Sequence, residues 1–248
     1  IRMRASMQTA IYFLLVTACP EMHLLYAGDI AALAFLISIY FLFRSYQQSH
    51  SSGHLFYSFF FIGAGSILFP QLTILSVLWL LESYRFQSLT PRSFCGALLG
   101  WMLPYWMLFG HAFFYNEMEL FYRPFNQLLA FGEVFHLPIL QPWELAILGY
   151  LLVMFIVSAV HCIAAGFEDK IRTRAYLQFL IDLTFFLFLL IALQPIYCSA
   201  LLPLLIISSS ILIGHFFVLT NSKSSNVFFI ISLVGLILLF AFNIWTLL

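Results

Sequence analysis

Charge is the scarcest feature of this chain. Asp, Glu, Lys and Arg together make up 8% of 248 residues, against about a quarter in ordinary soluble domains. Ten basic and ten acidic residues cancel, and no basic patch marks a nucleic-acid partner. With 63% of residues hydrophobic, so few polar groups cannot clothe a water-facing surface, and lipid is the solvent that fits. Recognition motifs are equally sparse. The four cysteines (Cys19, Cys95, Cys162, Cys198) show no C-x-x-C or zinc spacing. Seven histidines are scattered along the chain. No G-x-S-x-G, H-E-x-x-H, phosphate-binding loop or dinucleotide fingerprint is present. No catalytic residue, metal ligand or cofactor is therefore read from motifs.

What the chain has in abundance is long apolar runs without period-2 alternation, which excludes a transmembrane barrel and leaves helices as the way to satisfy backbone amides in lipid. Arg2 and Arg4 precede the first run, but apolar segments continue down the chain, so they read as the end of a first span rather than as a cleavable leader. At about 20 residues per crossing, the spans fall at 7–20, 28–44, 54–69, 71–85, 93–114, 142–165, 175–193, 197–219 and 226–247. The 32-residue stretch 54–85 would make one helix about 48 Å long. That overshoots a hydrocarbon core of about 30 Å, so the stretch is split at Pro70 into a hairpin. The expected fold is an all-α polytopic transmembrane helical bundle of nine spans, a single transmembrane domain over 1–248.

Basic residues resist translocation and collect on the cytoplasmic side. With the N-terminus cytoplasmic and the C-terminus outside, nine of the ten basic residues fall inside: Arg2, Arg4, Arg44, Arg85, Arg92, Lys170, Arg172, Arg174 and Lys223. Only Arg123 falls outside. Reading 54–85 as one span would put the last six of the nine opposite the first three.

The outer connection 115–141 is less apolar and rich in aromatics. Pro124 is expected to open a short helix at its first turn, with Phe125, Leu128, Leu129 and Gly132 on one face and Asn126, Gln127, Ala130 and Glu133 on the other. This is an interfacial amphipathic segment. Arg123, Phe125 and Glu133 are its candidate contacts to lipid or a partner protein; a plain linker is the alternative.

Inside the spans, Asp182 stands out. A carboxylate at mid-span costs about 2.5–3.5 kcal/mol on insertion scales, so it faces protein or water. Arg174, Gln178 and Asp182 recur every four residues and form one polar stripe. His161 and His215 lie at similar depth near the inner ends of their spans. Together the five make a candidate intramembrane polar cluster. Its functional reading is a proton or substrate path; its structural reading is a protonated Asp182 bonded to a neighbouring helix.

Gly96 and Gly100 form a G-x-x-x-G, and Ser210 to Gly214 a similar small-residue pair, suited to close helix packing within the chain. Glu82 and Arg85 are spaced for a local ion pair. Pro104, Pro195 and Pro203 fall in or beside spans, but no internal repeat accompanies them. Cys19 and Cys198 both fall toward the outer face, and a disulfide between them is left open.

Three stretches together carry a resemblance. Leu80 to Tyr105 reads LLESYRFQSLTPRSFCGALLGWMLPY, a basic loop before a glycine-containing span. Ile171-Arg-Thr-Arg-Ala-Tyr opens another. Leu202 to Trp245 holds Pro203, a serine run, Gly214-His215-Phe216-Phe217 and Asn243-Ile-Trp245. These resemble an uncharacterised family of multi-span inner-membrane proteins of Bacteroidota. The resemblance covers 80–248 and implies a bacterial inner membrane; it carries no site residue across.

Function is then weighed among three classes. A non-enzymatic subunit or scaffold of a larger membrane assembly, partnered by lipids and other membrane proteins, fits the missing motifs and short loops. A transporter or flippase fits Asp182 and the prolines. A membrane enzyme acting on a lipid-linked glycan would draw on Glu117, Glu119 and Glu133.

Overall fold

Without water to hydrogen-bond the backbone, these apolar runs close their own amides as helices. The structure, a computed structural model, describes residues 5–19, 27–48, 50–129, 140–166, 169–220 and 223–247. Among them there is helix and no strand: α1 (Ala5–Thr17), α2 (Ala27–Arg44), α3 (Ser52–Leu68), α4 (Leu72–Arg85), α5 (Pro91–Phe114), α6 (Met118–Leu129), α7 (Pro142–Ala164), α8 (Ile171–Leu193), α9 (Cys198–Leu219) and α10 (Lys223–Leu247). One 3-10 turn, Pro195–Tyr197, leads into α9. Five helical segments are long and apolar enough to cross a membrane: Pro91–Phe114, Pro142–Ala164, Ile171–Leu193, Pro195–Leu219 and Ser225–Trp245. The chain divides into two compact units, Tyr26–Gly132 and Ile1–Leu25 with Glu133–Leu248.

In the first of these units, the apolar stretch 54–85 breaks at Phe69-Pro70-Gln71, where the hairpin was expected. Pro70 has no amide hydrogen to continue α3, and Phe69 closes it by donating to Gly65 O. α4 then returns beside α3. Ser38 of α2 and Ser58 of α3 exchange hydroxyl-to-carbonyl bonds of 2.7 and 2.9 Å. Trp79 Nε1 of α4 donates to both hydroxyls, at 2.9 and 3.1 Å. α5 runs parallel to α3 in close contact. A Cβ on Gly96 would lie 3.0 Å from Ser52 O, and one on Gly100 only 2.3 Å from Phe56 O. The G-x-x-x-G thus packs inside the chain.

Serines stitch the turns at one end of this unit. Gln47 N–H donates to Phe86 O at 3.0 Å. Ser51 Oγ and Ser93 Oγ both donate to Ser88 O. Thr90 and Ser93 form a capping box that starts α5. Arg44, Arg85 and Arg92 all sit at this end, and Arg85 closes the expected pair with Glu82 at 2.7 Å.

α6 corrects the expectation for 115–141. It begins at Met118, so Pro124 is an interior residue rather than the first turn. Pro124 is the buried residue of this helix, and Leu129, on the apolar face expected to lie in the interface, is 73% exposed. The ring pairs explain the shift: Phe121 packs on Phe109, and Phe125 on Tyr105, with centroids 5.3 and 5.4 Å apart. These contacts turn the Phe121–Pro124 edge toward α5. Ala130, Phe131, Gly132, Glu133 and Phe135 lie outside the described residues.

In the other unit, α9 is apolar all round and is therefore the buried element. Leu201 through Ser210 are all buried. α1, α7 and α8 pack against it. A Cβ on Gly214 would meet Gln8 Cγ at 2.4 Å, so the small residue lets α1 cross α9 closely. α10 lies on α7, where Tyr150 Oη donates to Ser232 O at 3.2 Å. Asn243 Nδ2 bonds Ala18 O at the end of α1. α8 starts at Ile171, four residues before the expected boundary, which brings Arg172 and Arg174 into its first turn. Lys170, Arg172, Arg174 and Lys223 share one end of this unit.

Candidate functional site

The polar cluster forms where α7 ends, α8 begins and α9 ends. His215 is completely buried in α9, and its Nε2 lies 3.1 Å from Asp169 Oδ2. Asp169 belongs to the short connection between α7 and α8, just before Lys170 caps α8. A buried imidazole needs a polar partner, and the loop carboxylate supplies it.

Beside this pair is a cavity of about 280 Å³ lined in part by Cys162, Asp169, Arg174 and Gln178, with Leu177 and Ile181 on its apolar side. The four-residue spacing of α8 carries the polar stripe onward from the cavity: Gln178 Nε2 donates to Asp182 Oδ1 at 3.2 Å. Asp182 is half-buried, and Arg174 is exposed at the cavity mouth. Arg172 turns away, bonding Tyr176 Oη at 2.7 Å with its guanidinium over the same ring.

Of the five residues proposed from sequence, Arg174 and Gln178 line the cavity, Asp182 joins through Gln178, and His215 joins through Asp169. His161 is set beside them on α7, its ring edge-to-face with Phe216 at 5.0 Å. Asp169 was passed over because it reads as one charge of a solvated loop; only the depth of His215 in α9 gives it a role. Cys162 also faces the cavity.

Sequence reading also passed over Glu144, at the opposite end of the same unit. It is 5% exposed, accepts Gln141 N–H at 2.9 Å and Ser199 Oγ–H at 2.7 Å. Glu144 thereby reaches back to the N-cap amide of α7, the reciprocal half of a capping box. Cys19 and Cys198 are both buried free thiols, so no disulfide joins them.

In the other unit, Arg123 is exposed on α6, and Phe125, at 36% exposure, stacks at the edge of the α5 contact. Glu117 and Glu119 are exposed. Glu133 lies outside the described residues. Among the described residues, no three His, Cys, Asp or Glu side chains are grouped to hold a metal. No family model, curated protein or solved structure matches this chain.

Proposed function

We propose that this chain is a non-enzymatic subunit or scaffold of a larger membrane assembly, crossing the bilayer nine times with its N-terminus cytoplasmic and its C-terminus outside. The observation that carries the reading is how interior polar groups are used. Ser38, Ser58 and Trp79 bond one another; Ser66 bonds Tyr105; Tyr150 bonds Ser232; Asn243 bonds Ala18. Polar groups at depth hold helices together, which is what a structural element needs. The grouping of basic residues at one end of each unit supports the orientation. The resemblance to inner-membrane proteins of Bacteroidota adds a bacterial inner membrane to this reading.

Gentle-detergent purification of the tagged chain from its own membrane, with mass spectrometry of bound proteins, tests the assignment. Partners in fixed stoichiometry are expected. Retrieval of the chain with no protein partner overturns it.

One observation favours a transporter as the second reading. The polar stripe runs from an open cavity through Gln178 to Asp182, into a stretch of α8 (179–193) where Thr184 is the other polar side chain. Proteoliposome proton flux, followed with a pH dye, separates the two readings. Transport requires a flux above protein-free liposomes that Asp182→Asn removes; a flux equal to the protein-free background sinks it.

A further inference from the structure

We infer that α6 and the ends of α3 and α5 form a binding site for one zwitterionic phospholipid headgroup, of the phosphoethanolamine class. The inference is independent of the subunit reading.

The site is a cavity of about 300 Å³ with Leu68, Leu108, Leu120 and Pro124 among its apolar walls and Arg123 and Gln127 as its polar groups. Leu68 is 47% exposed, so the apolar wall continues to the outer surface of the unit, where acyl chains would lie. Arg44, Arg85 and Arg92 are at the other end of this unit, which leaves Arg123 as the cation of this end among the described residues. It makes no hydrogen bond or ion pair with any described residue.

Glu119 lines the adjoining cleft rather than this cavity, and Arg123 and Gln127 border both; the three recur every four residues and so form one stripe on α6. Opposite charges three or four residues apart on a helix ordinarily pair, as Glu82 and Arg85, three apart, do at 2.7 Å. Glu119 and Arg123 do not pair with each other. An open acid–base–amide stripe complements a ligand carrying its own anion and cation. The guanidinium and the Gln127 amide donate to the phosphate, and Glu119 accepts from the primary ammonium. A choline headgroup has no N–H to donate, and a glycerol headgroup has no cation for Glu119. The setting suits a headgroup. α6 is amphipathic, and Phe113, Phe114, Tyr115 and Tyr122 are exposed around it, the aromatic character of a membrane–water interface.

The test is native mass spectrometry of the full chain released from mixed micelles of equal phosphatidylethanolamine, phosphatidylcholine and phosphatidylglycerol. One phosphatidylethanolamine retained per chain, roughly tenfold over either competitor, is expected for one charge-assisted contact. Arg123→Gln should abolish retention of all three. Glu119→Gln should keep retention but erase the preference over phosphatidylcholine, while Arg92→Gln should change nothing. Equal retention of the three lipids by the unaltered chain, or retention indifferent to Arg123→Gln, overturns the inference. So does soluble phosphoethanolamine displacing the lipid at equal concentration, because the apolar wall would then contribute nothing. The selectivity of the unaltered chain decides the matter even if a variant fails to fold.

Discussion

His215 and Asp169, 46 residues apart in sequence, meet at 3.1 Å with the imidazole completely buried. The pair ties the α7–α8 connection to the end of α9. His215→Phe leaves the Asp169 carboxylate, 15% exposed, against an apolar ring; the cost is expected toward the lower end of the roughly 1–3 kcal/mol of an unsatisfied buried group, because water can reach it. Asp169→Asn keeps an acceptor and should cost less. Thermal unfolding in detergent checks both; a His215→Phe melt equal to that of the unaltered protein means the pair holds nothing together.

Gly100 and Gly110 share α5 and make a matched test of close packing. A Cβ at Gly100 would sit 2.3 Å from Phe56 O, whereas nothing lies within 4 Å of one at Gly110. Gly100→Ala should therefore destabilise by about 1–3 kcal/mol, the usual cost of overpacking. Gly110→Ala should be neutral or slightly stabilising, since alanine is the better helix former. Similar melts for the two variants would mean that α3 and α5 do not pack as described.

Trp79 ties three helices through one N–H shared by Ser38 and Ser58. Trp79→Phe fills most of the space but removes that donor. A loss of about 1–2 kcal/mol is expected, in line with interhelical bonds in membrane proteins. In the Ser38→Ala/Ser58→Ala background the same substitution should cost less, because its partners are already gone. A full cost in that background assigns the effect to ring packing alone.

Much of this architecture is legible in one dimension because the bilayer makes length and charge informative. The break at Pro70 follows from a 32-residue run too long for one crossing, and Gly96 and Gly100 follow from the need for close approach. The polar stripe of α8 follows from helical period alone. Tertiary contact decides the rest. Pro124 suggests a helix start, but ring packing of Phe121 and Phe125 on α5 accompanies an α6 that begins at Met118. Asp169 takes its role from His215, 46 residues away, a contact that no local spacing announces. Glu144 owes its place to the Gln141 amide and the Ser199 hydroxyl that it accepts, the second from another helix, which spacing along one segment does not give.

The proposed nine-crossing topology is tested most directly by cysteine labelling in intact cells. With Cys19, Cys95, Cys162 and Cys198 replaced by serine, single cysteines are placed at Gln48, Gln87 and Asn116. An impermeant maleimide should label the Asn116 position at once, and the Gln48 and Gln87 positions only after permeabilisation, because α3 and α4 return the chain to the side it left. Labelling of the Gln48 and Gln87 positions from opposite sides would contradict the hairpin, and with it the crossing count and the orientation.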